Sequence, residues 1–191
     1  MQKVAIILTQ GFADWEYALI AGTGVPFYGI DVRFFTPEPG EVRSMGGLVA
    51  QVADGLEAIP GWSPKVIAVI GGTVWETENA PDLDTLLQAH HAGGGVVAGI
   101  CGGTLALARA GLLDAVSHTS NDADYLGAFA VDYAGAELFC GNGSAVSDNR
   151  VITAPGTAPV SFAAAVFESL GLDSAEIARF RDMLAAEHAP A

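Results

Sequence analysis

The sequence predicts an α/β fold: a doubly wound, mostly parallel sheet with helices on both faces and a small β-hairpin. Two observations carry this. Continuous apolar runs at 4–8, 66–70 and 95–100 read as strands buried on both faces, and segments of helical periodicity alternate with them. Composition agrees, since 51% hydrophobic residues, 16% charged residues and 24 glycines in 191 suit a domain whose central strands are covered. A chain of this length builds one domain, 1–191, with a large core.

The elements follow in order. Val4-Ala5-Ile6-Ile7-Leu8 is the first strand, and a helix starts near Asp14, its cap, with Trp15, Leu19 and Ile20 on helical spacing. Residues 31–35 form a second strand, closed by the turn material Thr36-Pro37-Glu38-Pro39-Gly40. Residues 42–52, interrupted by Gly46-Gly47, make an antiparallel excursion. The strand at 66–70 ends on Gly71-Gly72, and a helix over 81–92 takes Pro81 in its first turn and faces His90 and His91 to solvent. Gly93, Gly95 and Ala98 fit a dinucleotide pattern but precede a strand instead of following one, so no cofactor is expected. After a helix at 104–110, Gly111-Leu112-Leu113-Asp114 breaks the chain, 115–119 reads as a short strand and 121–130 as a helix. Residues 145–147 and 151–153 flank a turn at Asp148-Asn149 and make a hairpin. An Ala-rich helix at 158–170 ends on Gly171, Ser174 caps a last helix to about residue 187, and His188 lies in the tail.

The net charge of −14, from 8 basic and 22 acidic residues, argues against nucleic acid and anionic membrane as partners. No stretch reaches transmembrane length without a charge, and Met1-Gln2-Lys3 leads straight into a strand with no room for a signal core. A reducing cytoplasm is the expected compartment. Cys101 and Cys140 provide neither a disulfide framework nor metal-ligand spacing, so no metal is expected. Asn142-Gly143-Ser144 matches a glycosylation sequon but has no export signal to go with it.

Chemistry concentrates at Gly99-Ile100-Cys101-Gly102-Gly103-Thr104, where strand pattern changes to helix pattern across a glycine-flanked cysteine. This is the cysteine counterpart of the Gly-x-Ser-x-Gly nucleophile elbow. The first N–H groups of the following helix would face the sulfur and favour a thiolate. The competing reading is a buried core cysteine. Ligands of such sheets bind at the carboxyl ends of the strands, which points to the loops at 10–16, 71–76 and the elbow. Gly71-Gly72 either offers bare N–H groups to an oxyanion or is a plain turn. Trp75 and Phe12 would wall a small apolar pocket, unless Trp75 covers the core edge. Glu16, one helical turn past the first loop, would approach the sulfur as a buried carboxyl of raised pKa.

Phe12-Ala13-Asp14-Trp15-Glu16, Gly71-Gly72, Ala98-Gly99-Ile100-Cys101 and Ile152-Thr153-Ala154-Pro155-Gly156-Thr157-Ala158-Pro159 together resemble the DJ-1/PfpI superfamily of the class I glutamine-amidotransferase-like fold. The resemblance implies a flavodoxin-like sandwich, usually a homodimer, with Cys101 reactive, Glu16 the acid beside it, and Gly72 and Gly102 the oxyanion donors. The protease-like branch carries histidine directly after the cysteine, where this chain has Gly102. Other members place a histidine in the segment Ser117-His118-Thr119-Ser120-Asn121, at a position that falls on Asn121. His118, three residues earlier, is the base available in the chain, or else a structural histidine. Residues 154–159 supply no late His–Glu pair, so glutaminase chemistry is not expected.

Three functions compete. In the first, Cys101 attacks a small carbonyl or amide substrate, Gly72 and Gly102 hold the oxyanion, and Glu16 or His118 moves protons, for hydrolysis or a glyoxalase-like rearrangement. In the second, Cys101 is a redox sensor in a stress protein, with Cys140 as a candidate resolving thiol. A non-catalytic binding module ranks third, because Cys101 and Glu16 are both present.

Overall fold

Strand β1 (Lys3–Ile7) belongs to two apolar layers at once. Val4, Ile6 and Leu8 join a core with Ile20, Phe162 and Phe167, whereas Ala5 and Ile7 join a second core with Leu87, Leu105 and Leu107. Alternate side chains leave opposite faces of a strand, so an unbroken apolar run is what burial on both faces requires. The computed structural model describes residues 1–186; His188 and the expected helix end at 187 lie outside the described residues.

After β1 come α1 (Asp14–Tyr28), β2 (Asp31–Thr36), the strands β3 (Gly40–Arg43) and β4 (Val49–Val52), β5 (Asp54–Gly55) and the single turn α2 (Ile59–Trp62). Then follow β6 (Val66–Val69), α3 (Asp84–Ala92), β7 (Val96–Ile100), α4 (Gly103–Arg109) and α5 (Ala123–Phe129). The hairpin β8 (Val146–Asp148) and β9 (Val151–Ala154) precedes α6 (Pro159–Ser169) and α7 (Ser174–Ala185). The sheet runs β5-β2-β1-β6-β7-β9-β8, and β3-β4 is a separate antiparallel pair. All pairings in the large sheet are parallel except β8 with β9. Its parallel core, β2-β1-β6-β7-β9, has the flavodoxin-like order, in which the chain changes direction between β1 and β6. The loops after β1, β6 and β7 therefore meet at one edge.

The structure departs from sequence expectation at several places. Residues 115–119 form no strand, and only an isolated parallel bridge joins His118 to Phe139. Helix α3 begins at Asp84, whose N–H bonds Asp82 Oδ1 (2.9 Å), so Pro81 lies outside it. Helix α5 starts at Ala123 because the Asp122 carboxylate takes the N–H groups of Asp124 and Tyr125. In α7 the cap is Asp173 rather than Ser174, in a reciprocal box with Glu176. Asp14 does not cap α1; Ala13 is at that position, and the Asp14 carboxylate instead holds Gly46 N–H (2.8 Å) in the β3-β4 turn.

His90 and His91 are half-buried rather than solvent-facing. His91 Nε2–H donates to Asn149 O (2.8 Å), and burial lowers the pKa of His90. Among the described residues no helix is long and apolar enough to cross a membrane. Nor does any group of three or more His, Cys, Asp or Glu stand where it could hold a metal ion.

Candidate active site at Cys101

Between β7 and α4 the backbone of Cys101 adopts left-handed geometry with φ 54°. That conformation costs an L-residue about 1–2 kcal/mol, and a dense set of bonds imposes it here. Cys101 N–H donates to Ala154 O (2.9 Å), while Cys101 O accepts Thr104 N–H (3.1 Å) and the Thr104 hydroxyl (2.6 Å). The single Thr104 hydroxyl proton is thereby engaged, so Ser120 donates its own to Thr104 Oγ1 (2.7 Å). A Cβ on Gly103 would penetrate the Val69 carbonyl, so the elbow needs glycine there.

Glu16 is fully buried in the first turn of α1. Its Oε2 accepts Gly71 N–H (2.7 Å), and its Oε1 is buried without a nitrogen or oxygen partner. Cys101 is packed against the same carboxyl: a Cβ on Gly71 would stand 2.6 Å from Glu16 Oε2 and 2.7 Å from Cys101 Cβ. Burial raises the Glu16 pKa to about 7, against the opposing pull of Gly71 N–H and the thiol. Burial and the Glu16 charge together push the Cys101 thiol up to about 11, against donors from Asn121 and Gly102. The thiolate expected from the helix terminus alone is thus outweighed. The resting sulfur is held as the thiol, beside a carboxyl raised to about 7.

Asn121 reaches the same sulfur: its Nδ2 donates to Sγ (3.4 Å) and its Oδ1 accepts Gly156 N–H (3.1 Å). Gly156 closes the other side. A Cβ there would stand 3.0 Å from Sγ and 3.2 Å from Glu16 Oε1. Trp15, expected among the apolar positions of α1, is 48% exposed and donates its indole N–H to Gly156 O (2.8 Å), pinning that segment.

The Gly72 carbonyl lies 3.0 Å from where a Gly102 Cβ would be, so the two expected oxyanion loops adjoin. Phe12 and Trp75, expected as pocket walls, are both fully buried. Phe12 packs edge-on to Tyr17, and Trp75 directs its indole N–H at Ile70 O (2.8 Å), so both are core rather than pocket surface.

His118 is also fully buried, with both ring nitrogens engaged away from Cys101. Nδ1 faces Val116 O (2.8 Å), which can only accept, so Nδ1 carries the proton and Nε2 takes the Tyr133 hydroxyl (2.6 Å). Its ring sits edge-on to Tyr133 and Phe139. His118 is therefore a structural histidine and not the base of this site. Cys140 is a free thiol that donates to Leu138 O (3.7 Å), and no contact joins it to Cys101. Sequence reading missed Thr104, Ser120, Trp15 and Gly156 as parts of the elbow. For Gly156 the signal was present, since a glycine between Pro155 and Thr157 after a strand invites a close-approach reading.

A strained, hydrogen-bonded cysteine at a strand-to-helix elbow beside a buried carboxyl defines an α/β protein of the cysteine-elbow class. A family model described as the DJ-1/PfpI family matches residues 2–169, and the chain belongs to that family. It is 34% identical over 177 residues to the uncharacterized protease YoaZ of Bacillus subtilis (strain 168), covering 88% of this chain and 83% of that one. The uncharacterized protease YdeA of the same strain is 30% identical over 179 residues, covering 92% and 87%. The crystal structure of DJ-1 superfamily protein Atu0886 from Agrobacterium tumefaciens superposes with a TM-score of 0.92 at 36% identity, covering 99% of this chain and 100% of that one.

Because the folded-state pKa of Glu16 lies above its ordinary value of 4.5, the folded state binds the extra proton. Stability is expected to be full below about pH 4.5 as far as this group is concerned, and to fall as pH rises through about 7. Glu16→Gln should flatten that decline, on the order of 2–3 kcal/mol, in urea titrations across this range. Replacing His118 by leucine should cost about 2–3 kcal/mol of stability by orphaning Val116 O and the Tyr133 hydroxyl. The alkylation rate of Cys101 in the folded variant should stay within about twofold of the parent, because no proton passes through that ring.

Proposed function

We propose that this protein is a cysteine-dependent enzyme acting on a small carbonyl or amide substrate, with Cys101 as nucleophile. The observation that supports it best is the Cys101–Glu16 pair: a thiol on a strained elbow, packed beside a buried carboxyl of raised pKa. The thiol proton passes to the Glu16 carboxylate as sulfur attacks the carbonyl carbon and the C=O π pair moves onto oxygen. Gly72 and Gly102 N–H groups hold that oxyanion. Collapse re-forms the C=O bond and expels the leaving group, which takes the proton back from Glu16. Water then hydrolyses the thioester, releasing the acid and restoring the thiol. The protease names of the two Bacillus relatives are compatible with this acyl chemistry.

A second reading, a redox sensor, is favoured by one observation. An asparagine that cannot carry a proton stands at the sulfur where a base would be. In that reading the thiolate attacks a peroxide oxygen, the O–O bond breaks, and the departing oxygen takes the proton from Glu16, leaving a sulfenic acid.

The deciding experiment compares neutral ester and methylglyoxal turnover with peroxide oxidation in the Cys140→Ser background. Turnover is expected, lost by at least about a hundredfold in Cys101→Ser and by about tenfold or more in Glu16→Gln. Turnover that survives in Cys101→Ser would overturn the enzyme reading. Clean conversion of Cys101 to sulfinate without turnover of any carbonyl would favour the sensor.

We further propose a homodimer built on the face beside this site. Trp15, Met45, Leu48 and Val49 are 48%, 52%, 50% and 45% exposed, and the Asp14–Gly46 bond clips the β3-β4 turn to α1 so that they belong to one surface. Light scattering is expected to give twice the chain mass, and Leu48→Asp to give the monomer. A parent protein that is monomeric at all concentrations would sink this arrangement.

A further inference from the structure

The proposed chemistry leaves one ordered polar pair at the rim of the site without a role. Tyr125, in the first turn of α5, donates its hydroxyl proton to Glu76 Oε1 (2.9 Å). Both ends of this pair are anchored to the elbow. Tyr125 lies four residues beyond Asn121, whose amide touches Cys101 Sγ, and the Asp122 carboxylate fixes the Tyr125 N–H (2.9 Å). Glu76 closes the turn that begins at Gly72, and the adjacent Trp75 lies 3.1 Å from where a Gly102 Cβ would be. Arg109 Nη2 bonds both Trp75 O (2.8 Å) and Phe129 O (3.0 Å), tying the two segments across α4. Burial chiefly, then Glu76 and a charge on Cys101, raise the Tyr125 pKa against the opposing charge of Arg109.

A phenol whose proton is committed to a carboxylate presents its oxygen lone pairs as acceptors, strengthened by the charge behind them. Beside them, Arg109 directs its guanidinium to backbone carbonyls rather than outward. Such a rim favours a hydrogen-bond donor or an ammonium and disfavours a carboxylate or phosphate. We infer that Tyr125, oriented by Glu76, is a specificity-determining residue that recognises an amino or amide N–H carried a few atoms from the carbonyl that Cys101 attacks. The inference rests on the nucleophile reading above and narrows its substrates to small amino- or amido-substituted carbonyl compounds.

Methanethiosulfonates test this without a known substrate, because they carry a group of chosen charge two carbons from the sulfur that reacts. Cys101 sulfur bonds the sulfenyl sulfur of the reagent, the S–SO2 bond breaks, and methanesulfinate leaves with the electron pair. Rates would be measured in Cys140→Ser protein with the 2-aminoethyl, 2-sulfonatoethyl and methyl reagents, each normalised to its rate with free mercaptoethanol. The aminoethyl reagent is expected to exceed the sulfonatoethyl reagent by about tenfold or more, one charge-assisted hydrogen bond in magnitude. In Tyr125→Phe, which changes no charge, that ratio should fall by at least about threefold while the methyl reagent stays within about twofold. Glu76→Gln should lower the ratio similarly.

A ratio near unity in the parent, or one unchanged in Tyr125→Phe, overturns the assignment while leaving Cys101 a nucleophile. A folded parent whose Cys101 resists even the methyl reagent overturns the nucleophile reading and this inference with it.

Discussion

The site depends on two acidic groups, a thiol and a carboxyl, packed together where neither is well solvated. Glu16 is completely buried and Cys101 partly so; the Glu16 charge raises the cost of ionising the thiol, whereas the thiol lowers the Glu16 pKa against the effect of burial. A buried carboxylate is strongly destabilising unless it is hydrogen-bonded; here Gly71 N–H holds one oxygen while the other is buried without a hydrogen-bond partner, which favours the protonated acid. The surrounding glycines follow from that pair. A Cβ on Gly71 would lie 2.6 Å from Glu16 Oε2 and 2.7 Å from Cys101 Cβ, and one on Gly156 would crowd both groups as well. Two loops, after β6 and β9, approach the elbow on bare backbone because the pair occupies the room there.

The fold was legible because its strands are buried on both faces. Continuous apolar runs at 4–8, 66–70 and 96–100 are too short for buried helices and too apolar for a sheet with one wet face, and the doubly wound order follows from alternation with helices. The hairpin of β8 and β9 was legible, although its turn falls one residue later than expected: Asp148 pairs with Val151, and Asn149 and Arg150 take positive φ. What failed were boundaries set by single side chains. Asp122 and Asp173 both capped helices one or two residues away from the expected start, and Asp14, which had the right chemistry to cap, was captured by Gly46 across the chain. The stretch 115–119 had strand composition, but it makes only the isolated bridge to Phe139, too little to extend a ladder.

The elbow cysteine was legible for a different reason: its constraint is local. Glycine on both sides of a cysteine, between a strand pattern and a helix pattern, encodes an elbow within six residues. Glu16 could be paired with it only through the expected fold. His118 misled because histidine chemistry is visible in a sequence and its hydrogen bonds are not. Val116 O is two residues away, yet Tyr133, which takes the other nitrogen, lies beyond α5. Phe12 and Trp75 misled in the same way, since a large aromatic at a loop reads equally as pocket wall or as plug, and here both plug the core beneath the loops. Tyr125 and Glu76 were invisible as a pair, because only the folding of α5 against the turn after β6 brings them together.

Asparagine at the sulfur changes what the pocket can do. The Asn121 amide has fixed roles, donating to Sγ and accepting from Gly156 N–H, so it can stabilise negative charge on sulfur but cannot remove a proton. A histidine there would have supplied a base that titrates near neutrality. Without it, the ionisable side chain beside the thiol is Glu16, already raised to about 7 by burial. With the thiol at about 11, transfer of its proton to Glu16 is uphill in the resting pair, so in the proposed reaction it accompanies attack on the carbonyl rather than preceding it. The same burial that holds the sulfur protonated is what equips its neighbour to activate it.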